Sequence, residues 1–166
     1  MASTLINVEN NTAKTIAASI KKEILNSQKV IKNKTYRLIM IDFFLLDYCK
    51  DNTDSYLFYT DIEHSSLMCI AKNPRQEANI LSDYAFIECV VKGPDSNVTF
   101  SDFLDKAITI KAGKVALGST PILYDFYKRH GFVFVSKYME DWSRIGEFEL
   151  KESYAMKLNN SHNINC

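Results

Sequence analysis

The stretch of sequence that decides the fold is Gly118-Ser-Thr-Pro-Ile-Leu-Tyr-Asp-Phe-Tyr-Lys-Arg-His-Gly-Phe132. Pro121 suits the first turn of a helix, and Thr120 just before it is a candidate N-cap. The apolar residues that follow recur at helical spacing, and Gly131 stands where a left-handed residue often ends a helix. Strands are predicted on both sides, over residues 115–117 and 132–135, and the second is dense in aromatic and β-branched residues. The stretch therefore predicts a helix between two strands.

The composition indicates one soluble domain. The chain has 166 residues, with 20 Lys and Arg against 20 Asp and Glu, so no strong field attracts nucleic acid or an anionic membrane. No run reaches the roughly 18 to 20 apolar residues of a membrane helix, and the N-terminus does not resemble a signal peptide. The four cysteines and three histidines are too scattered for a zinc site, so we expect no metal. These features predict a cytoplasmic protein without a nucleic-acid partner.

The rest of the chain alternates strand and helix patterns. Residues 36–48 fit either a buried strand or a helix, and their length favours a helix. Residues 140–146 are predicted as a loop. The sequence predicts a single α/β domain over residues 1–158, with a mixed sheet, the order β-α-α-β-β-β-α-β-α-β-β and a flexible tail over 159–166. The other predicted strands cover residues 5–8, 56–62, 67–71, 84–91 and 149–158, and the other predicted helices cover 12–31 and 100–108.

This order, with Phe126-Tyr127-Lys-Arg-His-Gly-Phe132, resembles the GNAT (Gcn-related N-acetyltransferase) superfamily. In that family Phe-Tyr, three variable residues and Gly-Phe join a helix to a strand. The ending Tyr154-Ala-Met-Lys-Leu158 also looks like a common last strand of the family. The resemblance implies a GNAT-like mixed sheet, acetyl-CoA as co-substrate and an amine acceptor on a small molecule or a protein.

Two residues are the catalytic candidates. By resemblance, Tyr127 matches the family's frequent general acid, which protonates the departing thiolate; the alternative is a packing residue at the helix end. Glu88 is the charged residue inside the apolar run 84–91, and a buried carboxylate needs a reason. It is either a general base at a cleft or a side chain that is solvated or paired with a lysine.

The residues expected to contact the co-substrate come from three places. The resemblance implies that backbone groups of the 84–91 strand bind the thioester and pantetheine arm, if the two parallel strands splay apart. Ser119, near the end of a strand, is placed near the thiol. Tyr124 precedes Tyr127 by three residues, so both could face one cleft. The full set is Cys89, Val90, Val91, Asn97, Val98, Thr99, Phe100, Ser101, Ser119 and Tyr124.

The sequence departs from the family pattern at the pyrophosphate loop. GNAT proteins usually have Gln/Arg-x-x-Gly-x-Gly/Ala there, whose backbone N–H groups bind the phosphates at a helix start. This chain has Asn97-Val-Thr-Phe-Ser-Asp102, without glycine or arginine, and Asp102 places a negative charge near the phosphates. Thr99 or Ser101 is a candidate N-cap.

The departure supports two alternatives to acetyl transfer. One is a catalytically inactive GNAT-like binding or regulatory module. The other is an acyltransferase for a longer acyl donor, which the ring-rich composition would suit. A homodimer through aromatic strands at the C-terminus is a further possibility.

Overall fold

The computed structural model describes residues 4–50, 55–72, 83–145 and 150–159. The element order is the predicted β-α-α-β-β-β-α-β-α-β-β, and the predicted helix over residues 36–48 is confirmed. None of the helices described is long and apolar enough to cross a membrane. The predicted loop over residues 73–79 and the tail from residue 160 lie outside the described residues. The elements are β1 Leu5–Val8, α1 Asn10–Asn26, α2 Lys34–Phe43, β2 Tyr56–Asp61, β3 Ser66–Ala71, β4 Ala85–Lys92, α3 Phe100–Ile108, β5 Val115–Ser119, α4 Tyr124–Arg129, β6 Phe132–Asp141 and β7 Leu150–Leu158.

The strands form one seven-stranded mixed sheet in the order β1-β2-β3-β4-β5-β7-β6. β4 and β5 run parallel, and the other neighbours are antiparallel. The β4–α3–β5 crossover supplies the parallel pair, because parallel strands need a long connection, while the short β2–β3 turn makes an antiparallel hairpin. The predicted α/β mixed sheet is confirmed.

Helices pack against both faces of the sheet. α1 places its buried residues at helical spacing, including Ile16, Ile20 and Ile24, against one face. On the other face α3 buries Phe103 and Ala107. Burying each large aliphatic side chain contributes roughly 1.5–3 kcal/mol. A strand covered on both sides reads as a continuous apolar run, which accounts for the composition of β4.

A β-bulge in β4 opens the sheet. Cys69 pairs with Cys89 and Ile70 pairs with Ile87, so Glu88 is the extra residue on β4. The parallel pairing of β4 with β5 ends at Ile87 and Leu117, directly before this residue. β4 continues along β3 to its end, and β5 continues along β7. Since a bulge bends its strand and increases the local twist, the two parallel strands separate here.

Three local predictions need correction. Residues 140–146 are not simply a loop, because β6 pairs with β7 as far as Asp141 and a 3₁₀ turn, Trp142–Ile145, follows. α1 ends at Asn26, because Ser27 is already extended. The helix after β5 begins with a 3₁₀ turn, Pro121–Leu123, and Thr120 makes no side-chain cap. Gly131, with φ of 94°, does take the left-handed conformation that ends α4.

Among the described strands, β6 is at the end of the sheet, and none of them pairs with its outer edge. Val133, Phe134 and Met139 on it are exposed large apolar residues. An open edge with apolar side chains is a surface that another strand can pair with. The homodimer through C-terminal strands stays a prediction.

Candidate active site

The gap between β4 and β5 is a cleft with a volume of about 110 Å³. Its lining combines apolar residues with polar side chains from several elements. α2, with the π-helical turn Phe44–Tyr48 that extends it, contributes two phenols, and β6 with the 3₁₀ turn after it contributes two further groups. The polar side chains are those of Tyr36, Tyr48, Glu88, Cys89, Thr120, Tyr127, Glu140, Trp142 and Ser153.

Glu88 lies in this cleft because it is the bulge residue. Tyr48 is buried, and its hydroxyl donates a hydrogen bond to Glu88 Oε2 at 3.4 Å. Burial raises the pKa of Tyr48 well above 10, and the Glu88 carboxylate raises it further. The phenol therefore stays protonated and remains a donor, which supports the carboxylate as a proton acceptor.

Tyr127 approaches the same cleft from α4. Its ring packs against Phe100 at 5.3 Å and Phe132 at 6.2 Å between centroids. Burial raises the pKa of Tyr127, and Tyr36 and Cys89 add smaller effects in the same direction. The phenol is thus held rigidly and stays protonated at neutral pH. Tyr127 both packs at the end of the helix and lines the cleft. The predicted packing role therefore does not exclude the predicted role as general acid.

Of the ten predicted contact residues, Cys89 and Val90 line the cleft, and Ser119 and Tyr124 are among those that do not. Tyr124 instead packs edge-on against Tyr154 at 5.2 Å and near Phe134 at 6.5 Å, over the β6–β7 strands. Residues three apart on a helix differ by about 60° around its axis, which is enough to give each ring different neighbours. Ser119 is 1% exposed, and its hydroxyl donates to the Thr120 carbonyl oxygen at 2.7 Å. Gly118 and Thr120 line the cleft on either side of it.

The β4 edge beyond the bulge offers backbone groups rather than side chains. Cys89 is buried, and its thiol donates to the Met40 carbonyl oxygen at 3.6 Å. Burial, followed by the charge of Glu88, raises the pKa of this thiol, so it is not a reactive nucleophile. The Val90 and Val91 side chains pack into opposite cores. On the side toward β5, the backbone of these residues has left the β4–β5 ladder and can bond a ligand.

Two side chains at the start of α3 accept hydrogen bonds from backbone N–H groups of the same helix start. Thr99 Oγ1 accepts a hydrogen bond from the Asp102 N–H at 3.3 Å, and Asp102 Oδ2 accepts one from the Thr99 N–H at 2.8 Å. This reciprocal capping box confirms Thr99, rather than Ser101, as the N-cap. Asp102 is 8% exposed, so an internal carboxylate occupies the positive end of the helix.

A lysine lies close to this helix start. Burial and the charge of Arg37 lower the pKa of Lys92, at the end of β4, while Asp102 opposes that shift. Asn97 and Ser101 are exposed, Phe100 is half-buried and Val98 is buried. Lys92 is therefore near both the buried Asp102 carboxylate and the Arg37 guanidinium.

Solved structures share this architecture. A GCN5-related N-acetyltransferase from Rhodopseudomonas palustris is 11% identical over 96% of both chains, with a TM-score of 0.58. A spermidine N-acetyltransferase chimera from Vibrio cholerae and hSSAT is 16% identical over the whole of both chains, with a TM-score of 0.57. An acyl-CoA N-acyltransferase from Pseudomonas aeruginosa is 15% identical over 94% of this chain and 99% of that one, with a TM-score of 0.52.

The chain has the GNAT fold. Neither models of protein families nor curated protein sequences match it. Sequence identities this low show a shared fold only, and they do not establish the activity of this chain.

Four side chains of the GNAT cleft escaped the sequence reasoning: Tyr36, Tyr48, Glu140 and Trp142. Tyr36, Met40 and Phe43 follow each other at i, i+4 and i+7 in α2 and all line the cleft, a helical stripe that the sequence contains. Glu140 and Trp142 had no such signal. They reach the cleft only because β6 continues past its apolar start.

Gly118, on the β5 side of the cleft, has no room for a side chain. An added Cβ would lie 2.1 Å from Tyr138 Oη and 3.2 Å from Cζ. Tyr138 is buried in a small cluster with Phe86 and Ala155. Glycine is required here for close packing, since its φ is not in the positive range.

Proposed function

We propose that this protein transfers an acetyl group from acetyl-CoA to an amine of a small molecule or a protein. The observation that carries the proposal is the separation of β4 and β5 at the Glu88 bulge. It brings a carboxylate and a half-buried phenol, Tyr127, to one small cleft. Acyl transfer to an amine needs a base, hydrogen-bond donors for the oxyanion and an acid for the thiolate.

Each of these needs has a candidate group. Glu88 accepts a proton from the acceptor ammonium, directly or through water, so that the neutral amine can attack the thioester carbonyl carbon. Backbone N–H groups of Cys89 to Val91 on the open β4 edge stabilise the oxyanion. The C–S bond then breaks as Tyr127 donates its hydroxyl proton to the departing sulfur, so that CoA leaves as the thiol. The nitrogen of the new amide loses its second proton to the Tyr127 phenolate through water, which restores the phenol, and Glu88 releases the first proton to solvent. The volume of about 110 Å³ suits an acetyl group better than a long acyl chain.

The two ends of acetyl-CoA would meet different surroundings in this chain. The thioester arm suits the strand gap, but the diphosphate meets a helix start whose N–H of Thr99 is already bonded to Asp102. We infer that the positive charge of Lys92, and that of Arg37 near it, compensates in part for the Asp102 carboxylate. We therefore expect acetyl-CoA to bind more weakly to this chain than it would to a chain with a glycine-rich loop.

A binding or regulatory module without catalysis is the second candidate. The capping box of Thr99 and Asp102 favours it, since an internal carboxylate at a helix start competes with a bound anion. Such a module would keep the fold and the cleft while losing the co-substrate.

Release of free CoA from acetyl-CoA, measured over a panel of primary amines, separates the two candidates. The proposal predicts turnover with at least one amine. In Glu88→Gln, which keeps the shape of the side chain and removes the base, the rate should fall at least about 100-fold. A folded wild-type protein that neither binds acetyl-CoA nor turns over any amine would favour the module. Equal rates for wild type and Glu88→Gln would remove Glu88 from the mechanism.

A further inference from the structure

A groove larger than the cleft adjoins it. The groove has a volume of about 380 Å³ and shares Tyr36, Thr120, Leu123 and Trp142 with the cleft. Pro121 and Ile122, from the 3₁₀ turn after β5, form its outer wall. A molecule bound with one end in the cleft therefore has space for its remaining part in this groove.

The wall of the groove is mainly apolar. Ile122 is 84% exposed although it is a large aliphatic residue, and it lies beside Leu123 and the rings of Tyr36 and Trp142. Binding sites for small molecules typically combine such walls with a few placed polar groups. The groove thus suits the apolar part of a ligand.

Two buried polar atoms of the wall, Trp142 Nε1 and Thr120 Oγ1, have no hydrogen-bond partner within the described residues, and the indole is the larger and more rigid group. Trp142 is 7% exposed, and its indole Nε1–H is buried without a hydrogen-bond acceptor. Phe43 holds the indole edge-on at 5.7 Å between centroids, so the ring is fixed. A buried donor left without an acceptor is unfavourable, and a ligand oxygen that accepts its hydrogen bond would relieve this.

The charges differ between the two spaces. The cleft contains two carboxylates, Glu88 and Glu140, which favour an ammonium group. At the rim of the groove, Lys151 Nζ lies 5.3 Å from the centroid of the Trp142 ring. Glu152 beside it pairs with Lys137 at 3.5 Å. The groove therefore offers no excess of negative charge for a second ammonium group.

We propose that the acceptor is a primary amine attached to an apolar body that carries a carbonyl oxygen, as in the amide of an apolar amino acid, and not a polyamine. Its amine lies in the cleft, its apolar body lies in the groove against Ile122 and Leu123, and its oxygen accepts from Trp142 Nε1. The inference rests on the proposed function for the role of the amine, but its binding prediction does not require turnover.

Trp142 is the single tryptophan of the chain, so its fluorescence reports on the groove directly. Phenylalaninamide, phenethylamine and spermidine contain no indole and can be titrated with selective tryptophan excitation, with and without CoA. We expect saturable changes in emission, with a Kd for phenylalaninamide about tenfold lower than that for phenethylamine and lower still than that for spermidine. Equal affinities, or the tightest binding by spermidine, would overturn the proposal.

Two variants test the wall and the donor separately by calorimetry. Ile122→Asp places a charge on the groove wall at an exposed position, and Val30→Asp is its matched control at an exposed apolar residue elsewhere. Phenylalaninamide binding should weaken about tenfold in Ile122→Asp and stay unchanged in Val30→Asp. In Trp142→Phe the preference for phenylalaninamide over phenethylamine should disappear while phenethylamine still binds. Unchanged affinity in Ile122→Asp, or a preserved preference in Trp142→Phe, would contradict the assignment.

The failure of each proposal has its own signature. Binding of phenylalaninamide without CoA release means that the transferase activity fails while the acceptor class stands. CoA release with spermidine at the highest kcat/KM means that the transferase activity stands while the acceptor class fails.

Discussion

The β4–β5 cleft and the start of α3 would bind opposite ends of the same co-substrate, yet they are built differently. In the cleft, the bulge at Glu88 frees backbone groups and gathers polar side chains around an open space. At α3, Thr99 and Asp102 bond to each other's backbone N–H groups, so two of the N–H groups at the helix start already have partners. The cleft is open to a ligand, whereas the start of α3 is stabilised by its own side chains.

The difference shows that the two regions follow separate constraints. The cleft follows from strand geometry, because any chain with this bulge and this strand order separates β4 from β5. An anion site at a helix start depends on particular residues, and a single carboxylate at the third helical position can fill it. A GNAT fold can therefore keep its reaction cleft while its phosphate site changes.

The largest expected effect is on turnover and lies in the cleft. Tyr127→Phe removes the proposed acid while keeping the ring against Phe100, so kcat should fall about 100-fold with little change in acetyl-CoA affinity. Tyr124→Phe is the matched control, since Tyr124 packs outside the cleft. Steady-state kinetics of both variants test this, and an unchanged kcat in Tyr127→Phe would remove the phenol from the mechanism.

Gly118→Ala should damage the β5 wall of the cleft. The new methyl group would overlap Tyr138 Oη, and overpacking a buried site costs about 1–3 kcal/mol in the free energy of unfolding. Urea unfolding measures the loss. In a Tyr138→Leu background the same substitution should cost much less, because the clashing phenol is gone. Strictly additive effects of the two substitutions would show that Tyr138 is not the obstacle.

Because the cleft contains buried phenol and thiol groups, we expect the free energy of unfolding to fall at alkaline pH. Burial raises the pKa of Tyr48 and of Cys89, so both stay protonated in the folded state when they ionise in the unfolded chain. The unfolded state then binds fewer protons, and stability falls as pH rises above about 9 to 10. Each such group lowers the free energy of unfolding by about 1.4 kcal/mol per pH unit. Tyr48→Phe should reduce this slope between pH 10 and 11 in urea titrations, and an identical slope would contradict the assignment.

The smallest expected effect is at the start of α3. Asp102→Asn removes the negative charge while the side chain can still accept from the Thr99 N–H, so acetyl-CoA affinity should rise about fivefold. Asp105→Asn on the exposed side of the same helix is the control, and calorimetry at low and high salt measures both. If Asp102→Asn leaves the affinity unchanged, the phosphates do not approach this helix.

Much of the fold follows from local sequence patterns. The bounds of α3 and β1 and the complete element order could be read from apolar periodicity and turn residues, and Gly131 marked the end of α4 correctly. Segment ends were harder. β6 runs ten residues because pairing with β7 extends it beyond its apolar start, and pairing partners are not visible in one strand's sequence.

The cleft could be predicted only in part. Glu88 stood out because a charge inside an apolar strand needs an explanation, and Tyr127 stood out through the family pattern. The bulge itself was hidden, because it depends on the register between β3 and β4. Ser119 and Tyr124 do not line the cleft, because proximity in sequence does not fix the direction of a side chain. Glu140 was missed because it belongs to a distant strand.

Isothermal titration of the full chain with acetyl-CoA tests the central claim most directly. The account predicts one saturable site per chain, with affinity that weakens as salt rises because Lys92 and Arg37 act by charge. No heat of binding up to millimolar acetyl-CoA, in a folded protein, would contradict it.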